Sequence, residues 1–137
     1  MFGNKSNNGL INSIHKKALS AVHLQFQYSL QSLLDVDSSV SIHVRTLRFL
    51  LVEIFKTLNG KNPKFLWDMF SRNQKSQNLR SGQTLILPAT KTQIFGQHSL
   101  KFRGSLLWNS LPQKFKAATS VKQFKTFFHF FTFYFLI

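Results

Sequence analysis

Early in the chain, Ile11, Ile14, Ala18, Ala21 and Val22 recur at the three- and four-residue spacing of a helix, and Asn12 or Ser13 is available as its cap. A helix over about residues 12–27 is predicted, with Lys16 and Lys17 on its polar face. A second, short helix is predicted over residues 29–34. It stops at DVDSS, where Asp and Ser side chains compete for backbone hydrogen bonds and favour a turn. The clearest periodicity lies in residues 41–58, where Val44, Leu47, Leu51, Ile54, Phe55 and Leu58 form one apolar stripe. Asn59-Gly60 follows as a C-cap and Pro63 lies beyond it, so this helix has a defined stop and a core-facing side.

Residues 63–70, PKFLWDMF, begin with a proline suited to the first position of a short apolar helix. A polar connector follows at residues 71–78. Residues 79–87, which contain TLIL ahead of Pro88, and residues 97–103, which alternate loosely, predict two short strands or extended arms. Gly104 opens the apolar stretch SLLWNSLP, which ends at Pro112, and Ser120 is placed to cap a last helix from Val121 onward. The predicted fold is therefore mainly α: a small helical domain of three or four helices, with a short extended or β-hairpin element, packed around the Leu47–Leu58 stripe. Its organisation reads as a flexible start (1–9), a helical part (10–70), the connector (71–78), a basic part with short strands and the terminal helix (79–125), and a Phe-rich apolar tail (126–137). The end of that tail, FFHFFTFYFLI, is too short to cross a bilayer as a helix, which takes roughly 20 apolar residues.

Charge says more about possible partners than hydropathy does. The 18 Lys and Arg outnumber the 4 Asp and Glu and give a formal net charge of +14. A polyanion is the natural partner, because each neutralised phosphate releases counterions. The acids, Asp35, Asp37, Glu53 and Asp68, all lie before residue 71, so the rest of the chain carries 10 bases and no acid. Cysteine is absent, which excludes disulfides, a thiolate nucleophile and Cys-based zinc sites. The start, MFGNKSNNG, lacks the apolar core of a secretory signal, so an intracellular protein of nucleus or cytoplasm is expected and secretion is not.

No catalytic constellation is visible. Two-metal chemistry needs clustered carboxylates, and the four acids are not clustered in that way. His15, His23, His43, His98 and His129 show no HxxxH or HExxH spacing, and the chain contains no GxxxxGK[ST], GxGxxG or GxSxG. No catalytic residue, metal, cofactor or small-molecule substrate is therefore expected. The better candidates are Arg80, Lys91, Lys101 and Arg103, which lie among Leu79, Phe95, Phe102 and Trp108. Cations of this kind meet phosphates, and flat side chains beside them can stack on bases. Phe102 and Trp108 read first as core residues, since a small basic domain builds its interior largely from aromatics.

Three stretches carry a resemblance: SIHVRTLRFLLVEIFKTLNGKNPKFLWDMF, NLRSGQTLILP and SLKFRGSLLWNSLPQKFKAATSVKQFK. In this order and spacing they resemble the carboxyl-terminal region of reverse transcriptases of non-LTR (LINE-type, jockey-like) retrotransposons, from about Ile11 to Lys125. The LNGKNP turn, the LRSG element and the LWNSLP element, followed by a helix ending in FK, are the specific parts. The resemblance implies an accessory region beyond the polymerase palm and thumb that holds RNA or DNA, with the catalytic YADD-type motif in a missing upstream polymerase region. Relatives often end with a tryptophan and a cysteine-containing tail. The Phe-rich run here reads instead as a frameshifted or decayed end. Two other readings stay open: a free-standing basic adaptor that binds a protein partner, and a peripheral membrane protein using the tail with Lys122 and Lys125. A membrane is the less expected of the partners.

Overall fold

The computed structural model describes residues 5–73, 83–92, 96–97 and 99–130. It is mainly helical, and its described residues contain no strand, only one isolated antiparallel bridge between Arg72 and Leu85. The chain divides into two compact units, Met1–Leu47 and Arg48–Ile137.

In the first unit, α1 spans Lys5–His23 and α2 spans Leu30–Val36. Ser29 caps α2, its hydroxyl accepting from the Ser32 amide at 3.2 Å. Leu19 of α1 packs with Leu33 and Leu34 of α2 to form a small apolar cluster. The helix expected over residues 12–27 is there, but it begins earlier and ends at His23. Ile11, Ile14, Ala18, Ala21 and Val22 are exposed, whereas Leu19 and Ser20 are buried.

Both helices end in the same way. Leu24 and Ser38 adopt left-handed φ values of 54° and 53°. The next amides, Gln25 and Ser39, then reach back to the Ser20 and Leu34 carbonyls at 3.0 Å in each case. This turn satisfies carbonyls that a helix end leaves open, and glycine is its usual residue.

The third helix, α3, spans Ile42–Leu58. It ends with that turn as well, here with the expected glycine: Gly60 has φ 65° and the Lys61 amide meets the Lys56 carbonyl at 2.9 Å. Within LNGKNP, the Asn59 side chain donates to the Phe55 carbonyl at 2.7 Å, and the Asn62 amide lies 2.9 Å from the Thr57 hydroxyl. Trp67 Nε1 donates to the Asn62 carbonyl at 2.7 Å, fixing the short 3₁₀ turn Lys64–Met69 against the end of α3.

The second unit holds the rest of α3 with α4 (Leu100–Ser110), the single turn α5 (Gln113–Lys116) and α6 (Val121–Phe130). Its core gathers Leu51, Ile54 and Phe55 from α3, Phe70, Leu85, Trp108 and Phe115, and Phe124 and Phe128 from α6. Phe124 is the centre of this aromatic group. Its ring stacks on Phe55 at 4.5 Å and meets Phe128 edge-on at 5.2 Å. Ser120 caps α6 as expected, accepting from the Gln123 amide at 3.1 Å.

Two local readings change. Residues 100–103, predicted as extended, are the first turn of α4, capped by Ser99, whose hydroxyl accepts from the Phe102 amide at 3.2 Å. The last helix also runs on through the first residues of the apolar tail, where Phe128 is buried and Phe127 packs against the core.

Candidate nucleic-acid interface

Of the four cations singled out from sequence, Arg80 lies outside the described residues. Lys91 is exposed in the irregular segment after Pro88. Lys101 is exposed on the first turn of α4. Arg103, two residues further along, is half-buried and donates from Nε to the Gln97 carbonyl at 3.3 Å. Residues two apart on a helix point about 200° apart around its axis. Lys101 and Arg103 therefore do not form one patch.

Of the aromatics near these cations, Trp108 belongs to the core. Trp108 is buried, and its indole N–H donates to the Gln83 carbonyl at 2.9 Å. The neighbouring Asn109 grips the same segment from both sides. Its Oδ1 accepts from the Leu85 amide at 2.7 Å and its Nδ2 donates to the Leu85 carbonyl at 2.9 Å. Trp108 and Asn109 of LWNSLP thus hold the TLIL segment in place, and neither offers a face to a base. Phe102 is half-buried, and Phe95 and Leu79 lie outside the described residues.

Helix α6 presents cations more coherently. Lys122 and Lys125, three residues apart, are exposed on one side of it, while Phe124 and Phe128 face inward. Lys114 of α5 is exposed too, with its ammonium 5.6 Å from the centre of the Phe127 ring. Arg48 plays a different part: it donates to the Phe128 carbonyl at 3.3 Å and lies 6.0 Å from the Phe128 ring, tying α3 to α6.

Sequence reasoning missed one arrangement. Arg72, from the polar connector, and Lys116, from α5, line a single cleft of about 160 Å³. Asn59, Gln83, Phe55 and Trp108 also line it. Arg72 donates to the Leu58 carbonyl at 3.0 Å and Lys116 to the Asn109 carbonyl at 3.1 Å. Each cation thereby serves the open carbonyls at a helix C-terminus, where the macrodipole favours positive charge. Lys116 is only 8% exposed, and burial pulls its ammonium below the ordinary lysine pKa.

Comparison with models of protein families, with curated proteins and with solved structures finds no match to this chain.

Three of the four acids have local partners. Glu53 accepts from Lys56 at 2.7 Å, and that hydrogen bond, with help from Asn62, holds its carboxyl below the usual range. Asp37 lies 3.1 Å from His23 Nε2, and hydrogen bonds from Ser39 first and His23 second lower its pKa. Asp35 accepts from the Gln31 amide at 3.0 Å. Among the described residues no three His, Asp or Glu side chains gather where a metal ion could sit, and no helix is long and apolar enough to cross a membrane.

Proposed function

We propose that the chain is the accessory carboxyl-terminal part of a non-LTR retrotransposon reverse transcriptase, and that it associates with RNA or DNA through phosphate contacts without doing chemistry itself. The carrying observation is the acid-free stretch from residue 71 onward, whose Lys91, Lys101, Lys114, Lys122 and Lys125 are all exposed. Cations spread over several elements favour contact with a polymer backbone over the reading of bases, because phosphate contacts position a strand and carry no sequence information.

The test is binding to RNA and to DNA across a range of salt concentrations, with Arg80, Lys91, Lys101 and Arg103 replaced together by Gln. Each lost phosphate contact lowers the salt slope by about 0.9 on duplex DNA or about 0.7 on single strands. A folded quadruple variant with the parent's affinity and slope would remove these four residues from the interface. A matching series on Lys114, Lys122 and Lys125 then decides whether any basic surface binds. If both series leave binding unchanged, the nucleic-acid reading fails.

A second reading, a protein-binding adaptor, draws on α1. Leu10, Ile14, Ala18 and Val22 follow one another at four-residue intervals and are all exposed, an apolar stripe suited to a partner helix. A stoichiometric complex that persists in high salt would favour it.

A further inference from the structure

The cleft lined by Arg72 and Lys116 is built differently from the exposed lysines. Lys91, Lys101 and Arg103 do not line it, and it has room for several times what one water requires. Each of its two cations is anchored by one hydrogen bond to a helix-terminal carbonyl. An ammonium has three N–H donors and a guanidinium five, so most of this capacity is left over. No acid occurs anywhere from residue 71 onward, and the ion pairs among the described residues are His23 with Asp37 and Lys56 with Glu53. A charge as buried as Lys116 is ordinarily paired with an opposite one, because a carbonyl alone does not offset the lost hydration. Phe55 and Trp108, both buried, are also among the residues that line the cleft.

We propose that this cleft is a binding site for a phosphate group, held between Arg72 and Lys116. The helix-end hydrogen bonds hold both cations in place before the ligand arrives, so little ordering is left to be done on binding. A tetrahedral phosphate can accept from an ammonium and a guanidinium approaching from different sides, and Asn59 and Gln83 also line the cleft. A planar carboxylate uses fewer of these donors. The phosphate can be a free anion or the terminal group of a nucleic-acid strand.

Calorimetric titration of the full chain with inorganic phosphate, beside acetate at matched ionic strength, tests the site. Saturable binding of one phosphate per chain is expected, at least tenfold weaker in Lys116→Met and in Arg72→Gln and unchanged in Lys61→Gln, whose side chain lies outside the cleft. Phosphate that binds no more tightly than acetate overturns the proposal. So does parent-like affinity in either cleft variant. Arg72 is exposed, so Arg72→Gln decides the matter even if Lys116→Met fails to fold. Two oligonucleotides of one sequence, with a 5′-phosphate or a 5′-hydroxyl, identify the source. A preference for the phosphorylated strand that disappears in Lys116→Met assigns the cleft to strand ends, and equal binding of the two strands beside intact phosphate binding assigns it to the free anion. Because the phosphate titration contains no nucleic acid, its outcome is separate from that of the surface-binding reading.

Discussion

Replacing Phe124 by alanine is expected to be among the most damaging single changes in the second unit. The ring is fully buried. It stacks on Phe55 at 4.5 Å and on Trp108 at 6.0 Å, and it meets Phe115 and Phe128 edge-on at 6.2 and 5.2 Å. Truncating a buried phenylalanine costs about 3–5 kcal/mol, and aromatic pairs add about 0.5–1.5 kcal/mol each beyond the area they bury. With four such pairs, Phe124→Ala belongs at the upper end, about 5 kcal/mol. Whole domains are stable by only about 5–15 kcal/mol, so the variant should lie near the edge of unfolding. Urea denaturation followed by tryptophan fluorescence suits the question, since buried Trp108 is next to the lost ring and half-exposed Trp67 contributes a smaller change. A double-mutant cycle of Phe55→Leu with Phe124→Leu should return a coupling of about 0.5–1.5 kcal/mol. A loss below about 2 kcal/mol for Phe124→Ala, with no coupling to Phe55, would refute the claim that α6 seals this core.

Gly104→Ala should destabilise despite its better helix propensity: the added methyl would lie 2.9 Å from the Phe70 ring and 3.2 Å from Ile54. An overpacking cost of about 1–3 kcal/mol outweighs a propensity gain of about 1 kcal/mol, and in a Phe70→Leu background the same change should become neutral or stabilising in denaturant melts. A chain ending after Lys125 loses Phe127 and buried Phe128, and should unfold about 3–5 kcal/mol more easily than one ending after Phe130, as read by the shift in urea midpoint. Leu24→Gly should stabilise the first unit by about 0.5–1 kcal/mol, because glycine adopts the left-handed conformation at φ 54° without strain; an unchanged thermal midpoint would count against it. Lys116 binds its proton less tightly in the folded chain than in the unfolded one, so its share of the stability grows as pH rises through its folded-state value towards 10.5 and is lost on the way down. In phosphate-free buffer, the parent's stability should therefore gain on that of Lys116→Met between pH 7 and pH 10.5, whereas parallel curves would show that the ammonium is not desolvated.

The sequence marked some elements clearly, for physical reasons. Leu51, Ile54 and Phe55 lie where the apolar stripe of α3 put them, because large aliphatic and aromatic side chains at helical spacing have few other places to go. The Gly60 turn and the Ser120 cap were equally plain, since each depends on one residue type at one position. Helix α4 was harder to see. Its buried residues are Gly104, Ser105 and Trp108, so its inner face lacks the aliphatic stripe that announces a helix, and at Gly104 the missing side chain admits the Phe70 ring. Leu24 and Ser38 gave no signal either, because left-handed turns normally show themselves through glycine. For the candidate site, the excess of charge was legible and its grouping was not. Lys101 and Arg103 are neighbours in sequence and diverge on the helix. Arg72 and Lys116 are remote in sequence and share a cleft, and their carbonyl partners leave no mark in the order of residues.

The tie between Arg48 and the Phe128 carbonyl joins positions 80 residues apart. A chain emerging from the ribosome therefore shows Leu51, Ile54 and Phe55 long before α6 exists to cover them. Closure across such a separation is slow compared with forming a helix, and apolar surface left open in the interval is what aggregates or recruits chaperones. The second unit can then close only once α6 is free of the exit tunnel, and a message cut short before α6 would yield a product with its core open. The placement of the closing helix thus makes the synthesis of α6 a condition for burial of the core.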